Sequence, residues 1–327
     1  MLGRWIVCLL SLPLLLTAAN EAGAGTPLGG VLVDENTFSI RPIVSDAGQA
    51  YAGEPSVRSA RYAVAAPDGR TALVVTELGV SVVRRVQTST PVWRLLTDEP
   101  VDVDRAVWSS DANAVAIYDS RRAVLKVWRN VQSDPAPAGV IDLTPLPTAP
   151  ALLALAGDAS CVFATVPERD FSNLYVLPVD GLARPLLSLA RPAALLLDGG
   201  TLYVADRGLA SVEAISGWQF GLSVRTVVAG GNGLTDPTGI ALSADRRQLY
   251  VADAGSRQVL AFDVSSSEQK GVVELNFSPT GMEPVDSGSL FLLEKGAPGS
   301  APAQVLQVSS LQVLNVPFGL EPRPAAQ

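Results

Sequence analysis

Residues 236–253 read Asp236-Pro237-Thr238-Gly239-Ile240-Ala241-Leu242-Ser243-Ala244-Asp245-Arg246-Arg247-Gln248-Leu249-Tyr250-Val251-Ala252-Asp253. Residues 191–206 repeat the frame as Arg191-Pro192-Ala193-Ala194-Leu195-Leu196-Leu197-Asp198-Gly199-Gly200-Thr201-Leu202-Tyr203-Val204-Ala205-Asp206. Each runs from a proline through small residues to an apolar strand, an Asp-centred turn and a second strand ending Tyr-Val-Ala-Asp. Val, Leu, Ile and Tyr suit a pleated, half-buried surface. Asp and Gly suit a tight hairpin because they tolerate positive φ. Proline cannot donate to a ladder, so it is expected before the strand.

Working outward, the turn acid recurs as Asp68, Asp111, Asp158, Asp198, Asp245 and Asp286, at spacings of 43, 47, 40, 47 and 41 residues. That lies in or near the roughly 40–50 residues of a four-stranded propeller blade. The acid closing the second strand recurs as Glu77, Asp119, Asp206, Asp253 and Glu294, with the third frame less regular near Val166-Pro167-Glu168. Pro55, Pro100, Pro150, Pro192, Pro237 and Pro279 precede the six first strands. One small sheet cannot bury both its faces, whereas sheets stacked around an axis do, and closing the ring protects the edges. No long stretch shows a 3.6-residue apolar period with caps. The fold class is therefore all-β, a β-propeller of four-stranded blades, with six favoured. Seven is the alternative, because Val31–Val44 also carries strand-like residues that either close the ring or begin another blade.

The two Tyr-Val-Ala-Asp units and Pro237-Thr238-Gly239-Ile240 resemble NHL-repeat and YVTN-type propellers, and Arg257-Gln258-Val259-Leu260-Ala261-Phe262 looks like that family's third strand. The resemblance covers most of residues 57–317. It implies the fold; propellers of this kind serve both as binding platforms and as enzymes, so it does not imply an activity.

The chain has 327 residues, 48% hydrophobic and 17% charged, enough apolar material to exclude the disordered class. Net charge is −8, with basic pairs such as Arg84-Arg85 and Arg121-Arg122 but no basic run, which argues against a nucleic-acid partner. Met1–Ala24 reads as a signal peptide: Arg4, an apolar run Trp5–Leu16, then Ala22-Gly23-Ala24, with cleavage after Ala19 as the rival. The run is shorter than the roughly 20 residues that span a bilayer. Residues 25–320 are expected to form one domain and 321–327 a disordered tail, in a secreted or periplasmic monomer. Beyond Cys8 in the apolar run there remains only Cys161, in the strand-like Ser160-Cys161-Val162-Phe163-Ala164, so a buried, inert thiol is expected.

The chain contains no histidine. Ser-His-Asp and Cys-His catalysis, HExxH zinc sites and imidazole proton shuttles are closed to it. Candidate chemistry falls on the loops leading into the first strands, with Glu54, Arg58, Asp102, Asp104, Arg105, Arg191, Asn232, Asp236 and Glu283. Of these, Glu54, Asp102, Asp104, Asp236 and Glu283 are the candidate ligand-binding set. Acids there could hold a hard cation such as Ca²⁺, or be solvated rim charges; otherwise no cofactor is expected. Similar six-bladed lactonases hold such a metal, but their ligands do not align here residue by residue. The acids that recur from blade to blade, such as Asp206 and Asp253, read as turn-builders, since a catalytic group normally breaks a repeat. Ala229-Gly230-Gly231-Asn232-Gly233 lacks the Lys-Ser/Thr of a phosphate loop and reads as the connection between the fourth and fifth frames. Ser216-Gly217-Trp218-Gln219-Phe220-Gly221 places Trp218 and Phe220 as a partner surface or as packing over a strand edge. The leading expectation is a non-catalytic extracytoplasmic binding or scaffold propeller for a protein or small ligand. The rivals are a carboxylate- and metal-dependent lactonase or lyase, and a spacer carrying rim aromatics Trp93, Trp108, Trp128 and Trp218.

Overall fold

A computed structural model describes residues 26–34, 36–46, 48–58, 60–99, 101–294 and 302–318. The signal-like segment 1–24 and the tail 321–327 lie outside them. Seven antiparallel sheets, each a simple meander, follow one another along the chain. Their inner strands are Thr26–Val33, Tyr62–Ala65, Arg105–Trp108, Leu152–Leu155, Pro192–Asp198, Pro237–Leu242 and Gly281–Pro284, for blades 1 to 7 in order. The only helical element among the described residues is a 3-10 turn, Gly230–Asn232, in the connection from blade 5 to blade 6.

Blades 2 to 7 are four-stranded and coincide with the six sequence frames. The stretch at Val31–Val44 proves to belong to a further blade, with strands Thr26–Val33, Ile40–Asp46 and Gln49–Ala52. The blade count is thus seven, the alternative that the sequence left open. This first blade hides in the sequence because Gly29 and Gly30 take positive φ (91° and 75°) inside its inner strand, where a register shift interrupts the pairing. Its free edge meets the far end of the chain. The Ala52 amide donates to the Pro317 carbonyl (3.0 Å), and Ala52 and Phe318 form a parallel bridge. The Val31 amide donates to the Val285 carbonyl (3.2 Å), joining the inner strands of blades 1 and 7 and closing the ring.

The core consists of seven apolar layers, one between each pair of adjacent blades. Between blades 5 and 6, Tyr203, Ala205 and Val212 face Ile240, Leu249, Val251, Leu260 and Phe262. Second strands lie between two such layers, so Thr71–Thr76 and Gln248–Asp253 are buried on both faces and read as nearly continuous apolar runs. Each fully buried Val or Leu contributes roughly 1.5–3 kcal/mol. Outer strands such as Val92–Thr97 are largely exposed.

The repeated residues have visible reasons. Pro192 and Pro237 are the first residues of their strands, each followed by a bulge, rather than preceding them. A side chain at Gly239 would strike the backbone amide of Met282 in the next blade, which explains the small residue in Pro-Thr-Gly-Ile. Trp108 and Trp128 are buried in the layer between blades 2 and 3, so they are not the rim aromatics expected from the sequence; large rings on inner and third strands point between blades. Cys161 is 8% exposed, and burial pushes its thiol pKa up.

Candidate functional site

The inner strands surround a channel with two chemically different ends. At one end, the loop face, outer strands lead into the next inner strand and second strands turn into third strands. At the other, the hairpin face, the Asp-centred turns converge.

The loop face holds the acids that sequence reading favoured, and each has its own partner. Glu54 is exposed and pairs with Arg58 (3.2 Å). Asp102 pairs with Arg121 (2.7 Å). Asp104 accepts the Ser120 amide (2.6 Å), and hydrogen bonds from the Ser120 side chain and backbone hold its carboxyl below the usual range. Asp236 takes a two-pronged contact from Arg207, Nε to Oδ1 at 2.5 Å and Nη2 to Oδ2 at 2.6 Å. Glu283 alone of the set lines the channel, a cavity of about 250 Å³ whose walls also include Val64, Ala106, Leu153, Leu195, Ile240 and Met282. Its charge, after burial itself, raises the pKa of Tyr62, whose hydroxyl accepts the Ala106 amide (3.0 Å). Among the described residues no three Asp, Glu or Cys side chains gather closely enough to hold a metal ion.

The acids behind the rim are structural. Asp206 is fully buried and accepts the amides of Ala190, Arg191, Gly208 and Leu209 at 2.8–3.3 Å. Asp253, equally buried, accepts the amides of Thr235, Asp236 and Ser256 and the Thr235 hydroxyl at 2.7–2.9 Å. Burial would raise the Asp253 pKa, but these donors together outweigh it and leave the carboxyl below its ordinary value. Each such acid staples a second-to-third-strand turn to the segment arriving from the neighbouring blade.

The hairpin face was not singled out from the sequence, and two of its residues depart from the repeat. Asp68, Asp111, Asp158, Asp245 and Asp286 accept amides of their own turns, at 2.7–3.1 Å. Asp198 does not; the Gly199-Gly200 turn needs no side-chain staple. Its carboxylate instead receives Arg246 Nε from blade 6, 2.9 Å from both oxygens, and Ser110 from blade 3 at 3.5 Å. Arg246 occupies the turn position after the acid with φ +60°, where blades 2 to 5 carry Gly69, Ala112, Ala159 and Gly199. That contrast was the available signal: a long cation at the one turn position where the other frames keep a small residue.

Asp198 and Arg246 border two cavities. One, about 310 Å³, is the channel mouth, also lined by Asp68, Asp111, Ile240, Leu242 and Asp286. The other is a cleft of about 660 Å³ lined by Ser110, Asp111, Ala156–Cys161 without Ala159, Leu197–Gly200, Trp218 and Gln219. Trp218 is half-buried in a T-shaped contact with Phe163, ring centroids 4.7 Å apart, while Phe220, two residues on, is 98% exposed.

No protein-family model and no curated protein sequence matches the chain. Solved structures do. A candidate 6-phosphogluconolactonase from Bacteroides fragilis aligns with a TM-score of 0.54 and 14% identity, over 88% of this chain and 92% of that one. A protein of unknown function from Desulfotomaculum acetoxidans gives 0.55 and 13%, over 87% and 93%. Kuenenia stuttgartiensis hydrazine synthase gives 0.50 and 15%, over 88% and 92%. At these identities the likeness shows the β-propeller fold alone.

Proposed function

We propose that this β-propeller is a non-catalytic, extracytoplasmic binding protein of the NHL-repeat or YVTN type, acting as a monomer on a small ligand or a protein. The observation that carries this reading is the state of the loop-face acids. Asp102 and Asp236 are neutralised by arginines, and Asp104 is held ionised by Ser120. An acid catalyst needs a raised pKa and a metal site needs converging oxygens; these side chains instead stiffen the loops that present a surface. The signal-like residues 1–24 support an address outside the cytoplasm.

Thermal melts with Ca²⁺, Mg²⁺, Mn²⁺ and Zn²⁺, together with a lactone-hydrolysis assay, test the proposal. A ligand that binds only the folded state raises its stability. The expected result is no shift with any ion and no hydrolysis. A shift of several degrees that chelation reverses and Asp236→Ala or Glu54→Ala abolishes, or turnover of lactone, would replace this reading by a metal-dependent propeller enzyme.

A further inference from the structure

We infer that the hairpin-face cleft between blades 4 and 5 binds a neutral saccharide of one or two rings, an assignment that rests on the binding-protein reading and names its ligand class. The first argument is the state of Arg246. Only its Nε is engaged, by Asp198; Nη1 and Nη2 make no hydrogen bond within the described protein, although the residue borders both cavities. Asp198 thus aims a half-exposed guanidinium whose outer fork is open at the edge of the cleft. The indole N–H of Trp218 and the amide of Gln219 are likewise unengaged in the same wall.

The second argument is charge. Among the described residues lining the cleft, Arg246 is the one cation, against Asp111, Asp158 and Asp198, so an anion would meet net repulsion. A ligand that accepts from the Arg246 fork and also donates to carboxylates carries hydroxyls, which do both. Vicinal hydroxyls match planar, two-pronged groups such as guanidinium and carboxylate, and the half-buried Trp218 in the same lining adds apolar aromatic surface beside them. The third argument is room. The cleft measures about 660 Å³, and Gly199 and Gly200 contribute no side chain to its lining.

The test is calorimetric titration of the full chain with neutral mono- and disaccharides (hexoses, N-acetylhexosamines and their β- and α-linked dimers), with choline and acetate as cationic and anionic probes. Saturable binding of at least one sugar is expected, weakened at least about tenfold, or 1.4 kcal/mol, by Arg246→Ala and by Gly200→Leu, which adds a large side chain to the cleft lining. Arg246→Ala should lose no more than the half-exposed pair contributes, because Ala112 and Ala159 already hold the φ required there. Gly200→Leu should melt as the parent does, because Gly200 is outside the positive-φ region and a Cβ there meets nothing within 4 Å. Absence of saturable sugar binding, binding that both variants retain, or preferential binding of choline or acetate would overturn the assignment. These outcomes leave the non-catalytic reading standing, whereas chemical conversion of a bound sugar would end that reading and keep the cleft.

Discussion

At the loop face, Asp253 is fully buried and surrounded by three amides and a hydroxyl; at the hairpin face, Asp198 takes no amide from its own turn and reaches for Arg246 in the next blade. Both acids end a strand, but at different points of the repeat: Asp253 closes a second strand and Asp198 an inner one, where its counterpart Asp245 accepts an amide of its own turn. One is saturated by backbone donors and can only build. The other is released because Gly199 and Gly200 close the hairpin unaided, and it spends its oxygens on aiming a side chain. Because Asp198 and Asp245 share a repeat position and differ in this, position in the repeat says less about function than the donors an acid is left with.

The sharpest way to test this contrast is to remove both acids. Asp253→Ala strands several buried donors and should cost roughly 3 kcal/mol, read in urea melts, while Asp198→Ala should cost under about 1 kcal/mol because its pair with Arg246 is half exposed. Equal losses would break the comparison. The pH dependence sharpens it. The folded pKa of Asp253 is lowered, so its stabilisation is complete above the unfolded carboxyl value of about 3.9 and fades as pH falls below it. The gap between parent and Asp253→Ala should narrow below about pH 4 and stay constant above; a gap that widens on acidification would contradict this.

A smaller effect is expected where the ring closes. Ending the chain after Val316 removes the Ala52–Pro317 hydrogen bond and the Phe318 bridge, and should cost about 1–2 kcal/mol in thermal melts. An unchanged melt would place the closure in the Val31–Val285 hydrogen bond and the apolar layer between blades 1 and 7. Smallest of all, Phe220→Ala should leave stability within about 0.5 kcal/mol, since the ring is 98% exposed. A larger loss would mean that Phe220 packs rather than presents itself.

Much of the architecture was legible in the chain. The proline-led strands, the turn acids and the Tyr-Val-Ala-Asp endings marked six blades, because a blade is a local meander whose turns depend on neighbouring residues. The first blade was harder to see, since Gly29 and Gly30 break its inner strand and its outer edge meets residues from the other end of the chain. Of the candidate site, Asp206 and Asp253 were correctly read as turn-builders, but the pairing of Asp236 with Arg207 was not visible.

The sequence by itself determined the sheet type, the meander and the absence of imidazole chemistry, all of which follow from residue type and short-range spacing. Only the tertiary structure decided the seventh blade, the partners of the loop-face acids and the meeting of Asp198, Arg246 and Ser110 from three blades. Those contacts join residues 48 and 88 positions apart, and a repeating pattern carries no record of which repeat will face which across a closed ring.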